Sequence, residues 1–205
     1  MPRPVVDTQR RPLRTLRLSV TDRCNLRCTY CMPEDTYAWL PREDLLTFEE
    51  IGRLVDRLGD AGGERVRLTG GEPLLRRGVD SLVAALARRP WLRELTLTTN
   101  GVRLADAAAD LRRAGLHRVT VSLDTLHADR FVRLARVDAL ADVLAGIDAA
   151  TRAGFPVKLD TVVTRGDNDD ALIDLLDYER VVGAAIRFLA YLDVGGAPHW
   201  RPAAV

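Results

Sequence analysis

The sequence predicts an α/β protein, a partial (β/α)6 TIM-like barrel formed by a single domain over residues 1–205. Three observations carry this expectation. Short apolar strands alternate six times with amphipathic helices, which implies right-handed crossovers and a parallel sheet. The chain has 205 residues and is 47% hydrophobic, enough for one substantial core. Every unusual motif falls where a strand should end, and parallel β/α folds gather their chemistry at strand C-termini. A doubly wound flat sheet shows the same alternation and stands as the alternative.

Taken in order, Arg3 to Arg14 carries Pro4 and Pro12, follows Pro2, and reads as an extended lead-in. Leu16 to Val20 is the first strand, followed by an irregular loop to about Leu46 with Pro33 and Pro41. Thr47 and Glu50 form a capping-box pattern, and Phe48, Ile51, Leu54, Val55 and Leu58 recur at helical spacing until Gly62-Gly63. Arg65 to Thr69 is a strand, then Gly70-Gly71-Glu72-Pro73, then a helix marked by Val79, Leu82, Val83 and Leu86 and stopped before Pro90. Glu94 to Thr99 is a strand that ends in Asn100-Gly101. A helix through Leu104, Ala108 and Leu111 stops at Gly115. Arg118 to Leu123 is a strand, ending at Ser122 and Asp124. A short helix near Asp129 to Leu134 precedes a longer one through Leu140, Val143, Leu144 and Ile147, closed by Gly154. Val157 to Thr164 is a strand, Leu172, Leu175 and Leu176 mark a helix, and Ala185 to Leu192 is the sixth strand. No internal repeat beyond this alternation, no low-complexity segment and no interdomain linker is visible.

Net charge is +1, with both signs interspersed, which offers no argument for nucleic acid as a partner. No run approaches the roughly 18 apolar residues of a membrane span, so no membrane partner is expected. The stretch MPRPVVDTQRRP lacks the apolar centre of a secretory signal, and a cytoplasmic location is the expectation. The three cysteines are odd in number and clustered, which in a reducing compartment points to metal ligands or redox chemistry, not to a disulfide framework.

Those cysteines, Cys24, Cys28 and Cys31, follow the first strand in LRLSVTDRCNLRCTYCMP. A cubane iron–sulfur cluster has four irons, and three thiolates leave one iron for a ligand from outside the protein. An irregular loop lets three sulfurs converge, whereas a helix would set them in a row. The alternatives are a zinc site and a redox Cys-x-x-Cys pair at Cys28 and Cys31. Zinc usually takes four ligands, and His117, His127 and His199 are far away in sequence. The redox pair leaves Cys24 unexplained. Arg17 and Arg67 sit inside strands between apolar residues, and a charge there is costly unless it faces a polar cavity. The alternative for both is an edge or barrel-floor ion pair. Arg76, Arg77, Arg112 and Arg113 read as solvated faces.

With Tyr30 between the last two cysteines and Gly70-Gly71-Glu72-Pro73 after the second strand, the chain resembles the radical S-adenosylmethionine (SAM) superfamily. LLTFEEI, VRLTGGEPLLRR, LTTNG, VSLDTL and RGDNDD narrow the resemblance, from about Val5 to Gly195, to the GTP 3′,8-cyclase family of molybdenum-cofactor synthesis. The resemblance implies a partial barrel of the radical SAM type and a lyase that converts GTP to (8S)-3′,8-cyclo-7,8-dihydroguanosine 5′-triphosphate. It implies one [4Fe-4S] cluster on Cys24, Cys28 and Cys31, which are also the catalytic set, and SAM as cofactor. By motif position, Tyr30, Gly70, Gly71, Glu72, Ser122, Asp160 and Leu192 are expected at SAM. Tyr30 is expected against the adenine and Gly71 with its backbone near the methionyl amino group. Arg17, Arg67, Thr98 and Lys158, the sole lysine, are expected at GTP. A reductant protein such as flavodoxin or ferredoxin is the expected partner.

The chain also departs from that family. The family continues for well over a hundred residues after the sixth strand, with three more cysteines for a second cluster; this sequence stops at Val205, and a truncated form is the expectation. Leu192 stands where the family has methionine, Ala190 where it has glutamate, and Asp160 where it usually has asparagine. An open sheet edge after the sixth strand makes a homo-oligomer a further expectation. A paralogous radical SAM enzyme with another substrate and a non-catalytic cluster-binding protein are the alternative functions.

Overall fold

The computed structural model describes residues 5–192; Pro2, Arg3, Pro4, Gly195, His199 and Val205 lie outside them. Six strands, β1 (Thr15–Ser19), β2 (Arg65–Thr69), β3 (Glu94–Thr99), β4 (Arg118–Ser122), β5 (Val157–Val163) and β6 (Ala185–Ala190), form one sheet. All neighbours are parallel, and their spatial order is their chain order. A doubly wound sheet would reverse at a switch point. The unbroken order is that of an unclosed β/α barrel, with α1 (Phe48–Asp60), α2 (Val79–Ala87), α3 (Leu104–Arg113), α4 (Ala128–Ala135), α5 (Leu140–Arg152) and α6 (Leu172–Val182) in the connections.

Side chains on a strand alternate between its two faces, and here the two faces differ in chemistry. Val66, Leu68, Leu95, Leu97, Val119, Val121 and Leu159 are buried on the helix-covered face. The opposite, lumen face is polar. Arg17 pairs in register with Arg67, Thr98 with Thr120, and Thr120 with Lys158. Ser122 lies opposite Asp160, which lies opposite Arg187. Parallel strands buried on both faces usually read as continuous apolar runs. The polar alternation in these six is the imprint of the lumen.

Local signals place the helices. Thr47 Oγ1 accepts from Glu50 N while Glu50 Oε2 accepts from Thr47 N, closing the capping box. Gly115 and Gly154 take positive φ after α3 and α5, a conformation that costs glycine little. Leu54 keeps helical spacing but is 41% exposed, so the buried stripe of α1 is Ile51, Val55 and Leu58.

Several expectations need correction. The lead-in is not extended: Val6 pairs with Pro12 across a turn in which Asp7 accepts from Gln9 N, Arg11 N and Arg11 Nε. A 3₁₀ turn, Arg42–Asp44, interrupts the long loop. The sixth strand ends at Ala190, before Leu192. Arg76 is not a solvated side chain. It donates to Val20 O at 2.5 Å and to Leu46 O, and lies 4.7 Å from the Phe48 ring centroid. Arg112 is exposed, as expected, while also donating to Leu116 O and covering Phe155. A planar guanidinium both stacks on an aromatic ring and caps carbonyls, so an amphipathic pattern alone misplaces it.

One buried side chain joins the C-terminal ends of β4 and β5. Asn168 accepts from Thr164 N (2.8 Å) and donates to Asp124 O and Val162 O (both 2.9 Å). Asn168→Ala leaves one donor and two acceptors buried without a partner. Urea unfolding is expected to show a loss of roughly 2–4 kcal/mol, since each orphaned group costs about 1–3 kcal/mol before relaxation. Thr47→Ala, which removes only an exposed cap, is expected to cost about 1 kcal/mol.

Candidate active site

The loop between β1 and α1 is held from two sides. On one side Val20 N donates to Thr69 O (2.8 Å), Gly71 N to Thr21 O (2.7 Å) and Glu72 N to Arg23 O (2.7 Å). On the other, the last carbonyls of α4 accept: Arg27 N bonds Ala135 O and Thr29 N bonds Leu134 O. Cys31 N and Met32 N both turn back onto Cys28 O, at 2.9 and 2.7 Å. The Arg27 guanidinium donates to Cys24 O and Leu26 O, and lies against the stacked rings of Tyr37 and Trp39.

All three thiols line a cavity of about 190 Å³, with Tyr30, Gly71, Thr98, Asn100 and Ser122 among its other walls and Leu26, Phe131 and Leu134 on its apolar side. A second cavity, about 420 Å³, fills the lumen below and is lined by Arg17, Arg67, Asp160, Arg187 and Leu189. Tyr30, Thr98 and Ser122 line both, so the two spaces share one wall. A further cavity of about 450 Å³ at the start of α2 lies away from the cysteines and shares no residue with either.

Burial pushes all three thiols up, Cys28 to about 12, with the nearby Asp124 carboxylate adding to the shift at Cys28. The bare site therefore holds neutral thiols at neutral pH, and their thiolates need a positive partner. Among the described residues, no three His, Cys, Asp or Glu side chains stand close enough to hold one metal ion. A cubane cluster is broader than one ion and spreads its cysteine sulfurs around itself. A thiol-only donor set spaced around a cavity fits that group.

Tyr30 Oη donates to Asp124 Oδ2 at 2.5 Å, and Asp124 Oδ1 accepts from Val162 N at 2.8 Å. Burial raises the Asp124 carboxyl to about 6, against these two hydrogen bonds. Tyr30 also meets Tyr191 edge-on, with centroids 6.3 Å apart. In the lumen, Asp160 pairs with Arg187 and lies 3.0 Å from Lys158 Nζ. Burial, then the charges of Arg17 and Arg187, lower the Arg67 pKa. Arg67 Nε and Thr98 Oγ1 are buried without a hydrogen-bond partner among the described residues, on side chains that line the joined cavities.

The motif residues divide by position. Cys24, Cys28, Cys31, Tyr30, Gly71, Thr98, Ser122, Arg17, Arg67 and Asp160 line the joined cavities. Gly70 and Glu72 lie behind them. Glu72 is fully buried and accepts from Leu74 N, Thr99 Oγ1 and Asn100 N, so its carboxylate is spent on the protein. The close approach that glycine permits at position 71 is to the protein's own loop. A Cβ there would meet Arg23 O at 2.3 Å and Asp22 O at 2.4 Å. Lys158 shares the lumen face but reaches Asp160 instead of a cavity wall. Leu192 is 60% exposed and lines neither cavity. The expected site residues did not include Arg187 and Leu189, nor Asn100, although its Asn100-Gly101 motif was read at the end of the third strand. Arg187 carried the same signal as Arg17, a charge between apolar strand residues.

An unclosed parallel barrel with a thiol-lined mouth on its first loop and a basic lumen defines a class of cofactor-dependent β/α-barrel protein. The sequence matches the radical SAM superfamily over residues 18–178, and the chain belongs to that superfamily. It is 50% identical over 201 residues to GTP 3′,8-cyclase 1 of Mycobacterium tuberculosis, covering 96% of this chain and 56% of that protein. It is 53% identical over 211 residues to GTP 3′,8-cyclase of Acidothermus cellulolyticus, covering 100% of this chain and 58% of that protein. The chain thus spans little more than half the length of these relatives. Streptococcus suis SuiB bound to S-adenosylmethionine superposes with a TM-score of 0.73 at 19% identity, over 89% of this chain and 42% of that one. Methylornithine synthase gives 0.73 at 16%, over 94% and 59%. At these identities the likeness is one of fold.

Gly71→Ala is expected to displace the cysteine loop, because the new methyl meets backbone oxygens that no rotamer change relieves. Iron bound per chain after anaerobic reconstitution should fall well below the parent. Gly52→Ala, whose methyl meets only the tip of Arg89 at 3.1 Å, should load as the parent does.

Proposed function

We propose that this chain carries the radical-generating and polyphosphate-binding part of a GTP 3′,8-cyclase, acting on GTP to join C3′ of the ribose to C8 of guanine. The observation that supports this most is the shared wall of Tyr30, Thr98 and Ser122, which sets a thiol-lined cavity directly against one carrying Arg17, Arg67 and Arg187. Relatives named GTP 3′,8-cyclase at about 50% identity support the substrate.

Cys24, Cys28 and Cys31 would hold a [4Fe-4S] cluster, with SAM in the same cavity. Bound there, cluster and cofactor would supply one-electron reductive chemistry. The residues of the chain do the rest. Leu26, Phe131 and Leu134 exclude water on one side of the cavity. Tyr30, tethered to Asp124, and the Thr98 and Ser122 hydroxyls offer an aromatic face and donors where the two spaces meet.

Arg17, Arg67 and Arg187 present guanidinium groups to a triphosphate, whose charge repays crowding them together. Asp160 holds Arg187 by an ion pair, with Lys158 on its other oxygen, until phosphate competes for them. An electron must come from outside, and a one-electron donor such as flavodoxin or ferredoxin is the partner class this reading requires. Self-association and a cytoplasmic location belong to the same reading.

The decisive experiment reconstitutes the chain anaerobically with iron and sulfide. About four irons per chain and reductive cleavage of SAM are expected, with cleavage faster when GTP is present. Trace iron beside tight zinc binding would overturn the reading. Cys28→Ala should lose cluster and cleavage together. Arg67→Ala should keep both and weaken GTP binding by about tenfold or more, the loss of one charge-assisted contact. Unlabelled guanosine should bind the two proteins alike.

A further inference from the structure

Asn100 lines the thiol cavity, and its backbone N–H and both side-chain polar atoms are engaged within the protein. Its backbone N–H donates to Glu72 Oε2 at 2.7 Å, and its Oδ1 accepts from Val102 N at 3.1 Å. Its Nδ2 donates to Asn25 Oδ1 at 2.8 Å and lies 3.7 Å from Cys24 Sγ, within hydrogen-bond reach of sulfur. The network settles the orientation of the amide. A flip would set the NH2 against the Val102 N–H and the carbonyl against both Asn25 Oδ1 and the sulfur.

Cys24 Sγ also accepts from Leu26 N at 3.4 Å, an ordinary backbone contact of the loop. The Asn100 donor is different in kind. It comes from the end of β3, seventy-six positions along the chain, and is locked in place by the buried Glu72 carboxylate. A donor held rigidly on a sulfur is more than packing when that sulfur ligates iron. Reduction adds negative charge that spreads onto the cysteine sulfurs, and an N–H pointed at one of them favours the reduced form.

We infer that Asn100 tunes the reduction potential of the cluster, through an N–H···S bond to Cys24 that raises it. The inference rests on the proposed cluster site. It assigns Asn100 a redox-positioning role, exerted through Cys24. Its effect is to ease electron entry from the external donor at the cost of some driving force for SAM cleavage.

The test uses the reconstituted full chain without SAM. Iron and sulfide are counted first, and then the cluster is titrated electrochemically, following the EPR signal of its reduced form. Asn100→Ala and Asn100→Asp are compared with the parent; the second keeps an acceptor for Val102 N but removes the donor. Both are expected to titrate at a more negative potential with iron content unchanged. A midpoint equal to the parent's in loaded variants overturns the inference. If neither variant loads, the Asn25→Asp protein carrying ¹⁵N in its asparagine amides decides. Pulsed EPR of its reduced cluster should show a weak nitrogen coupling from Asn100, and its absence overturns the inference. Failure of the parent itself to bind iron would instead overturn the cluster reading.

Discussion

The Glu72 carboxylate is fully buried and ionisable, placed where such a group is expensive, and three loops converge on it. Burial raises its pKa, and hydrogen bonds from Asn100 N, Leu74 N and Thr99 Oγ1 work the other way. Through those bonds the turn after β2 is fastened to the end of β3. Its own N–H, with that of Gly71, fastens the same turn to the cysteine loop. The position of the thiols therefore depends on a residue that faces none of the cavities. Gly-Gly-Glu-Pro works as a joint: glycines where backbones press together, a carboxylate where stray N–H groups need an acceptor, and a proline that starts a 3₁₀ turn.

Much of this was legible in the chain, for physical reasons. Helix starts and stops are local, so Thr47, Glu50, Gly115 and Gly154 announced themselves. Arg17 and Arg67 were legible because a cation inside an apolar strand needs a polar space to face. What stayed hidden depends on pairing between distant segments. Nothing near Asn168 says that its amide joins β4 to β5, and nothing near Asn100 says that Cys24 lies beside it. The register of β5 on β6, which sets Asp160 beside Arg187, is likewise invisible from either strand alone. Glu72 was placed at the cofactor by its motif, which says nothing of the bonds its carboxylate accepts from Leu74 N, Thr99 Oγ1 and Asn100 N.

The two faces of the sheet divide the work. Leucines and valines toward the helices supply the core, and their burial is what a fold of this size needs. The lumen face contributes little apolar burial and carries threonines, arginines and a carboxylate instead. Buried polar atoms left without partners, at Arg67 and Thr98, are a standing cost to stability. Sites commonly carry such costs, because a group already satisfied by the protein has nothing left to offer a ligand.

Arginine supplies three of the lumen's cations, at positions 17, 67 and 187. A guanidinium is a delocalised cation that keeps its charge where other side chains lose theirs. The lumen's three guanidinium groups thus carry a standing positive charge, offset in part by the Asp160 carboxylate. What reaches it is ionic strength: over a Debye length of about 8 Å at physiological salt, mobile anions blunt the attraction before a nucleotide arrives. A salty environment is therefore one that slows the filling of this lumen.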